Sequence, residues 1–381
     1  MEVPLAVLIK KFRSDCERFA HVEDAASAFL CFLNSFGESS SEATKQQELL
    51  RNIIPIFELV KRRIDDAIWT HIFGTDGVKP EFAGDDGFAL ARSELLTQQL
   101  AVMRAYLEKT ADAEFVGDAA KLGDNDLQAI RGAAEATFNG LSDEQTIEAA
   151  NVAILAINKA IPFVSGTGLI IAGFGSEDLF PTLVSFELHG MLGGSLKFVK
   201  REFVDIDRNG DRARVIPFAQ REMVERFLYG LDEGLQRKIT QFCKGAVPGI
   251  RRRMLEQLDM SEDELAALTL STEQAEQAFL DGLDTQSFDA IRQESQSEIE
   301  GMVEFMPKSE MARMAEALIN LTSIKRRVSR GMETVGGPID VAIISQAEGF
   351  VWVKRKHYFP QELNSRYFDR KRANEIQGGR P

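Results

Sequence analysis

Apolar residues return at three- and four-residue spacing almost from the start of the chain. Leu5, Leu8, Ile9 and Phe12 mark one amphipathic helix, and Ala25, Phe29, Phe32 and Leu33 mark one face of a second. The pattern predicts two helices over 4–36 with a break near His21, ended by the Ser/Glu-rich loop GESSSEATK. A further helix is expected over 46–69, bent at Pro55, because proline lacks an amide donor and crowds the preceding turn. From 81 to 160 the reading is helix and loop. The segment LSDEQTIEAANVAILAINKAI is its best-marked helix, with Ser142 as N-cap and Gln145 completing a capping box.

At Gly166 the pattern becomes strand-like. GTGLIIAGFG (166–175) and LFPTLVSFELHG (179–190) read as strand, turn, strand, from their β-branched content and Gly/Pro punctuation. Strands are expected over 167–174, 180–188, 196–206 and 212–217, and helices again over 219–330. That helical stretch includes the acidic amphipathic block MSEDELAALTLSTEQAEQAF, and its Gln/Ser/Glu-rich part, 285–301, reads as an exposed connector. TVGGPIDVAIISQAEGFVWVKRKHYF (334–359) closes the chain's strand content, with strands expected over 339–345 and 350–357. Helices, sheet, helices, sheet is an α+β order rather than strict βαβ alternation, and no repeat period is present.

Composition narrows the partners. With 59 acidic against 45 basic residues, the formal charge of −14 opposes non-specific attraction to nucleic acid or anionic membrane. No apolar run approaches the roughly 20 residues of a membrane helix, and the N-terminus lacks a signal-peptide pattern. Cys16, Cys31 and Cys243 form no metal-ligand or disulfide spacing, so a reducing, cytoplasmic location is expected.

Candidate chemistry is thin. Asp205, Asp207, Asn209, Gly210 and Asp211 imitate the opening of a calcium loop, but its twelfth position, which needs a bidentate Glu, is Ile216. Asn209-Gly210 between β-prone runs is therefore read as a hairpin turn. Gly166, Gly168, Gly173 and Gly175 fit neither dinucleotide nor P-loop spacing, and close strand packing is the favoured reading. His21, His71, His189 and His357 share no zinc-site spacing, and there is no GxSxG elbow. Lys354 to Phe359 mixes basic and aromatic residues, followed by Arg370, Lys371 and Arg372. In so acidic a chain this reads as a half-exposed strand and a solvated tail before a nucleic-acid face.

IIAGFG followed by LFPTLVSFELHG, together with VGGPIDVAIIS followed by GFVWVKRKHYF, resembles the later strands of proteasome β-subunit-type N-terminal-nucleophile hydrolases. The resemblance covers about half the chain, and suggests a bacterial branch of that family. It implies a layered α/β/β/α sandwich, N-terminally incomplete, with 1–40 as a first helical layer, 41–160 as a helical insertion, and 161–381 as the sheet and second helical layer. The parent activity it implies is that of a peptidase or amidase.

Such enzymes use a mature N-terminal Thr, Ser or Cys whose own amine is the base. This chain opens Met1, Glu2, Val3 and enters a helix, so no catalytic residue is carried over, and the chain is expected to be inactive without upstream strands. No cofactor and no metal are expected. A sandwich missing strands would leave a sheet edge open, so a homo-oligomer or another protein chain is the expected partner. The alternative function is a non-catalytic interaction or assembly protein on the same fold, with the helical insertion as the partner surface. A small-ligand module, resting only on the glycine-rich turns, is the weakest of the three readings.

Overall fold

The computed structural model describes residues 3–16, 18–74, 77–78, 85–207, 212–218, 221–258, 261–328, 339–355 and 362–378. They fall into two units, Met1–Asp205 and Ile206–Pro381.

In the first unit, α1 (Leu5–Asp15) and α2 (Val22–Glu38) break at His21, whose amide donates to the Asp24 carboxylate at 3.3 Å. The buried stripe of α2 is Ala26, Phe29, Leu30 and Leu33, which leaves Ala25 and Phe32 half-buried at its margin. α3 (Glu42–Ile72) continues through Pro55. Two-residue strands β1 (Phe73–Gly74) and β2 (Gly77–Val78) pair with each other and precede α4 (Asp85–Lys109), β3 (Glu114–Phe115), α5 (Asp124–Phe138) and α6 (Asp143–Ile157). The Ser142 hydroxyl accepts from the Gln145 amide and the Gln145 side chain accepts from the Ser142 amide, both at 3.2 Å, forming the expected capping box.

Three longer strands follow: β4 (Thr167–Gly173), β5 (Thr182–Leu192) and β6 (Ser195–Asp205). The antiparallel sheet order is β3-β6-β5-β4, with Ile170 opposite Ser185 and Leu188 opposite Phe198. β5 runs past Gly190 to Leu192, because Gly193 and Gly194, at φ 55° and 88°, supply the left-handed pair that a two-residue hairpin turn requires. One sheet face buries Leu169, Val184, Phe186, Leu188, Leu196 and Phe198 against α1 and α2. α3 packs on the other face, and α3 to α6 surround a larger core that includes Leu192. The helices of 41–160 thus spend their apolar faces on a core of their own.

The second unit holds α7 (Glu222–Tyr229), α8 (Glu233–Leu255), α9 (Glu262–Gly282), a π-helical turn (Leu283–Phe288), α10 (Asp289–Glu304), α11 (Lys308–Val328), strands β7 (Val341–Ser345) and β8 (Gly349–Lys354), and α12 (Ser365–Gly378). β7 and β8 pair as an antiparallel hairpin. Helix and small antiparallel sheets make the chain α+β.

Two expectations need correction. Residues 212–217 form no strand: the Val215 carbonyl accepts from the Tyr229 hydroxyl at 3.2 Å instead of entering a ladder, and Pro217 has no amide to offer one. The polar stretch 285–301 is not a connector but continues the π-helical turn and α10, supported by pairs such as Gln296 Nε2 to Glu300 at 2.6 Å. The Asn209-Gly210 turn and the end of the last expected strand, at 356–357, lie outside the described residues.

Candidate functional site

The densest buried polar chemistry sits in the first unit, where β5 and β6 meet α3. β5 carries His189 beside a bulge at Leu188/Gly190, and the His189 carbonyl accepts from Asn52 Nδ2 at 2.9 Å. The same amide nitrogen reaches the Glu48 carbonyl at 2.9 Å, which fixes the amide's orientation and leaves Asn52 Oδ1 facing inward without a partner. Both ring nitrogens of His189 are likewise buried and unpartnered. Burial pushes the imidazole down to about 4, helped by the Lys197 ammonium, against the opposing pull of Glu187; Arg201 and Arg51 add to the depression. Glu48 closes the α3 side, its carboxylate accepting from the Met191 amide at 2.5 Å.

Lys197, on β6, is almost wholly buried and reaches the Ala156 carbonyl at 3.4 Å. That carbonyl belongs to the last turn of α6, the negative end of the helix dipole, where a cation is favoured. Burial lowers the ammonium to about 8, so it stays mainly protonated at neutral pH. On β5, burial raises the Glu187 carboxyl, but Arg201 (Nη2 at 2.5 Å) and the Gly166 amide (2.8 Å) outweigh that and hold it below its ordinary value. A neutral imidazole and a charged ammonium therefore share one interior. Among the described residues, no hydroxyl or thiol is hydrogen-bonded to either.

A second histidine is paired. His21 Nδ1 lies 2.6 Å from Asp178 Oδ1, and the other oxygen of Asp178 accepts from the amides of Gly175 (2.7 Å) and Val22 (3.2 Å). The amides of Ser176 and Glu177 donate to the carbonyls of Phe19 and Ala20. Gly175 packs so closely on Ala20 that a Cβ there would overlap its carbonyl. This is a latch fastening the β4–β5 loop to the α1–α2 turn. The hydrogen bond that His21 donates to Asp178 raises the His21 pKa, and the same bond lowers that of Asp178. A raised histidine pKa stabilises the fold below its unfolded value near 6.5, and that contribution is lost as pH rises through the folded value. NMR titration should place the His21 midpoint above that of an Asp178→Asn variant; equal midpoints would mean the latch is not formed in solution.

The remaining motifs resolve as structure. At Gly166 a Cβ would come within 2.6 Å of Glu187 Cγ, so close strand packing accounts for that glycine as it does for Gly175, whereas Gly168 meets nothing. Asp205 accepts from the Thr182 hydroxyl at 3.2 Å across β5 and β6. Lys354 pairs with Glu316 on α11, and the Arg355 guanidinium lies 5.0 Å from the Trp352 ring. The His71 side chain and His357 lie outside the described parts. Among the described residues no cluster of three or more His, Cys, Asp or Glu is placed to hold a metal, and no helix is long and apolar enough to cross a membrane.

The second unit offers apolar surface. Its clustered core is Val224, Leu228 and Leu318, while Phe227, Phe242, Ile250, Met254, Phe305 and Trp352 are exposed. A cleft of about 590 Å³ opens between the 214–218 segment and α11, lined by Ile216, Phe218, Met311, Met314 and Leu318. Comparison with protein-family models, with curated proteins and with solved structures finds no match to this chain.

Proposed function

We propose that this chain is a non-catalytic interaction or assembly protein whose second unit is the contact surface. One observation carries the reading: the second unit buries a small apolar cluster but exposes large side chains along α7, α8, α10 and β8. Large apolar side chains left exposed in this number are what an interaction surface supplies. The first unit, with its two well-filled cores, is the folded platform.

The hydrolase reading that the resemblance implies has less to rest on. A sandwich of that type stacks two sheets face to face, whereas both faces of the four-stranded sheet carry helices. Its chemistry needs a nucleophile beside a base, and the described residues pair His21 with a carboxylate and leave His189 alone in the interior.

Hydrogen exchange on the full chain at low and high concentration, run beside a peptidase and amidase assay, tests the assembly reading. Amides of the second unit should gain protection as concentration rises or as a binding partner is added, with no turnover. Turnover that scales with the purified chain and is lost on substituting one internal Ser, Thr or Cys would overturn it.

A further inference from the structure

α8 turns its two sides to different surroundings. Ile239, Cys243, Ala246 and Val247 are half-buried, and on the same side Gln236 and Thr240 each donate to the Asp284 carboxylate of the π-helical turn at 3.4 Å. The other side faces solvent. Arg237, Lys238, Phe242, Lys244, Arg252 and Arg253 are exposed there, at the spacing that keeps side chains on one helix face. The apolar stripe Leu235, Ile239, Phe242, Ala246, Ile250 and Met254 is thus only partly covered, with Phe242, Ile250 and Met254 at 74%, 57% and 65% exposure.

Charge sets this helix apart from the chain around it. α8 holds six bases, Arg237, Lys238, Lys244, Arg251, Arg252 and Arg253, against the single acid Glu233, in a chain whose formal charge is −14. α9 has six acids and no base. Yet among the described residues only Arg251 pairs with α9, at 3.3 Å from both Glu273 and Glu276. Arg252 lies 3.9 Å from Glu256, one turn along the same stretch of chain, and Arg237 donates to the Glu233 carbonyl at 3.3 Å. Lys238, Lys244 and Arg253 meet no carboxylate at ion-pair distance among the described residues.

An apolar seat adjoins these bases. A cleft of about 540 Å³ lies between α8 and α9, with Gly245, Pro248, Gly249, Arg252 and Leu255 on one wall and Leu265 on the other. Its α8 wall is open, since a Cβ added at Gly245 or Gly249 would meet nothing within 4 Å.

We infer that α8 docks an acidic, amphipathic segment of a partner protein, whose carboxylates meet Lys238, Lys244 and Arg253 and whose apolar side chains lie against Phe242 and in the cleft. This rests on the assembly reading and names the chemistry of the partner. Cations without partners beside an apolar lane suit a helix that carries apolar anchors with acids next to them. The acids of α9 favour a narrow occupant. A bilayer or a nucleic-acid duplex presents a broad anionic surface that would face α9 as well as α8, and like charge opposes it there.

The probe is a fluorescein-labelled synthetic helix with leucine at three- and four-residue spacing and glutamate elsewhere, added to the full chain. It should bind with a micromolar Kd, and a counterpart with lysine in place of glutamate should bind at least tenfold more weakly. Lys238→Gln, Lys244→Gln and Arg253→Gln together should raise the Kd at least tenfold, as should Phe242→Ser alone. Lys10→Gln, Lys11→Gln and Arg13→Gln remove the same charge from exposed positions on α1 and should leave the Kd within twofold. Every altered side chain is exposed, so far-UV circular dichroism should not change. Hydrogen exchange on the unsubstituted chain should place the added protection in 233–255.

No binding of the acidic helix, equal binding of the two peptides, equal loss in the α8 and α1 variants, or protection away from α8 would overturn this docking site. The assembly reading would stand, since Phe227, Phe305 and Trp352 lie outside the site and association through them is tested separately. Binding to phosphatidylserine vesicles or to a single-stranded oligonucleotide that is tighter than to the acidic helix, and lost in the α8 variant, would overturn a protein segment as the occupant.

Discussion

Acidification from pH 7 to pH 4 should cost the first unit about 3 kcal/mol through His189 alone. The depressed imidazole, titrating at about 4 in the fold and near 6.5 when unfolded, sets both window and sign. Above 6.5 both states hold it neutral and the contribution is complete. As pH falls through 6.5 the unfolded chain takes up the proton first, and stability drains until the folded ring also titrates. Burial is the largest cause, and Lys197 and Arg201 from β6 and Arg51 from α3 add to it against the opposing pull of Glu187 on its own strand. His189→Leu removes the ring but keeps the carbonyl that accepts from Asn52. Urea denaturation between pH 7 and 4 should therefore fall less steeply in that variant, by about 3 kcal/mol over the interval. Parallel curves would mean the ring is solvated or already paired.

Phe57→Ala should destabilise the first unit by about 3–5 kcal/mol. Phe57 is fully buried on α3 between Ile53, Ile56 and Val60, and meets the Phe138 ring of α5 edge-on at 5.5 Å. Removing it deletes contacts to more than one helix and leaves a cavity that rigid α-helices close poorly. Urea midpoints followed by far-UV circular dichroism measure the loss. A cost below about 1 kcal/mol would contradict the packing of α3 against α5.

The expectations that held were local ones. The Ser142/Gln145 box and the helix break at His21 depend on residues three or four apart, and short-range chemistry is written in the sequence. Residues 212–217 failed because β-branched residues report a preference for extended backbone, not whether a neighbouring strand exists to pair with. His189 was legible as one strand residue among others. Its isolation depends on a bulge in β5 and on Asn52, 137 residues away, turning its nitrogen to the His189 backbone and its oxygen inward. The α8 stripe was open to view, since Leu235, Ile239, Phe242, Ala246, Ile250 and Met254 keep helical spacing. What the sequence could not say is that Phe242, Ile250 and Met254 stay exposed while Ile239 and Ala246 are half-buried.

The large apolar side chains that the second unit leaves exposed make association the direct consequence of the assembly reading. Sedimentation equilibrium of the full chain across nanomolar to 100 micromolar concentration should show a reversible rise from one to two chain masses. A single-chain mass throughout that range, with no gain of second-unit amide protection when a binding partner is added, would contradict assembly through the second unit.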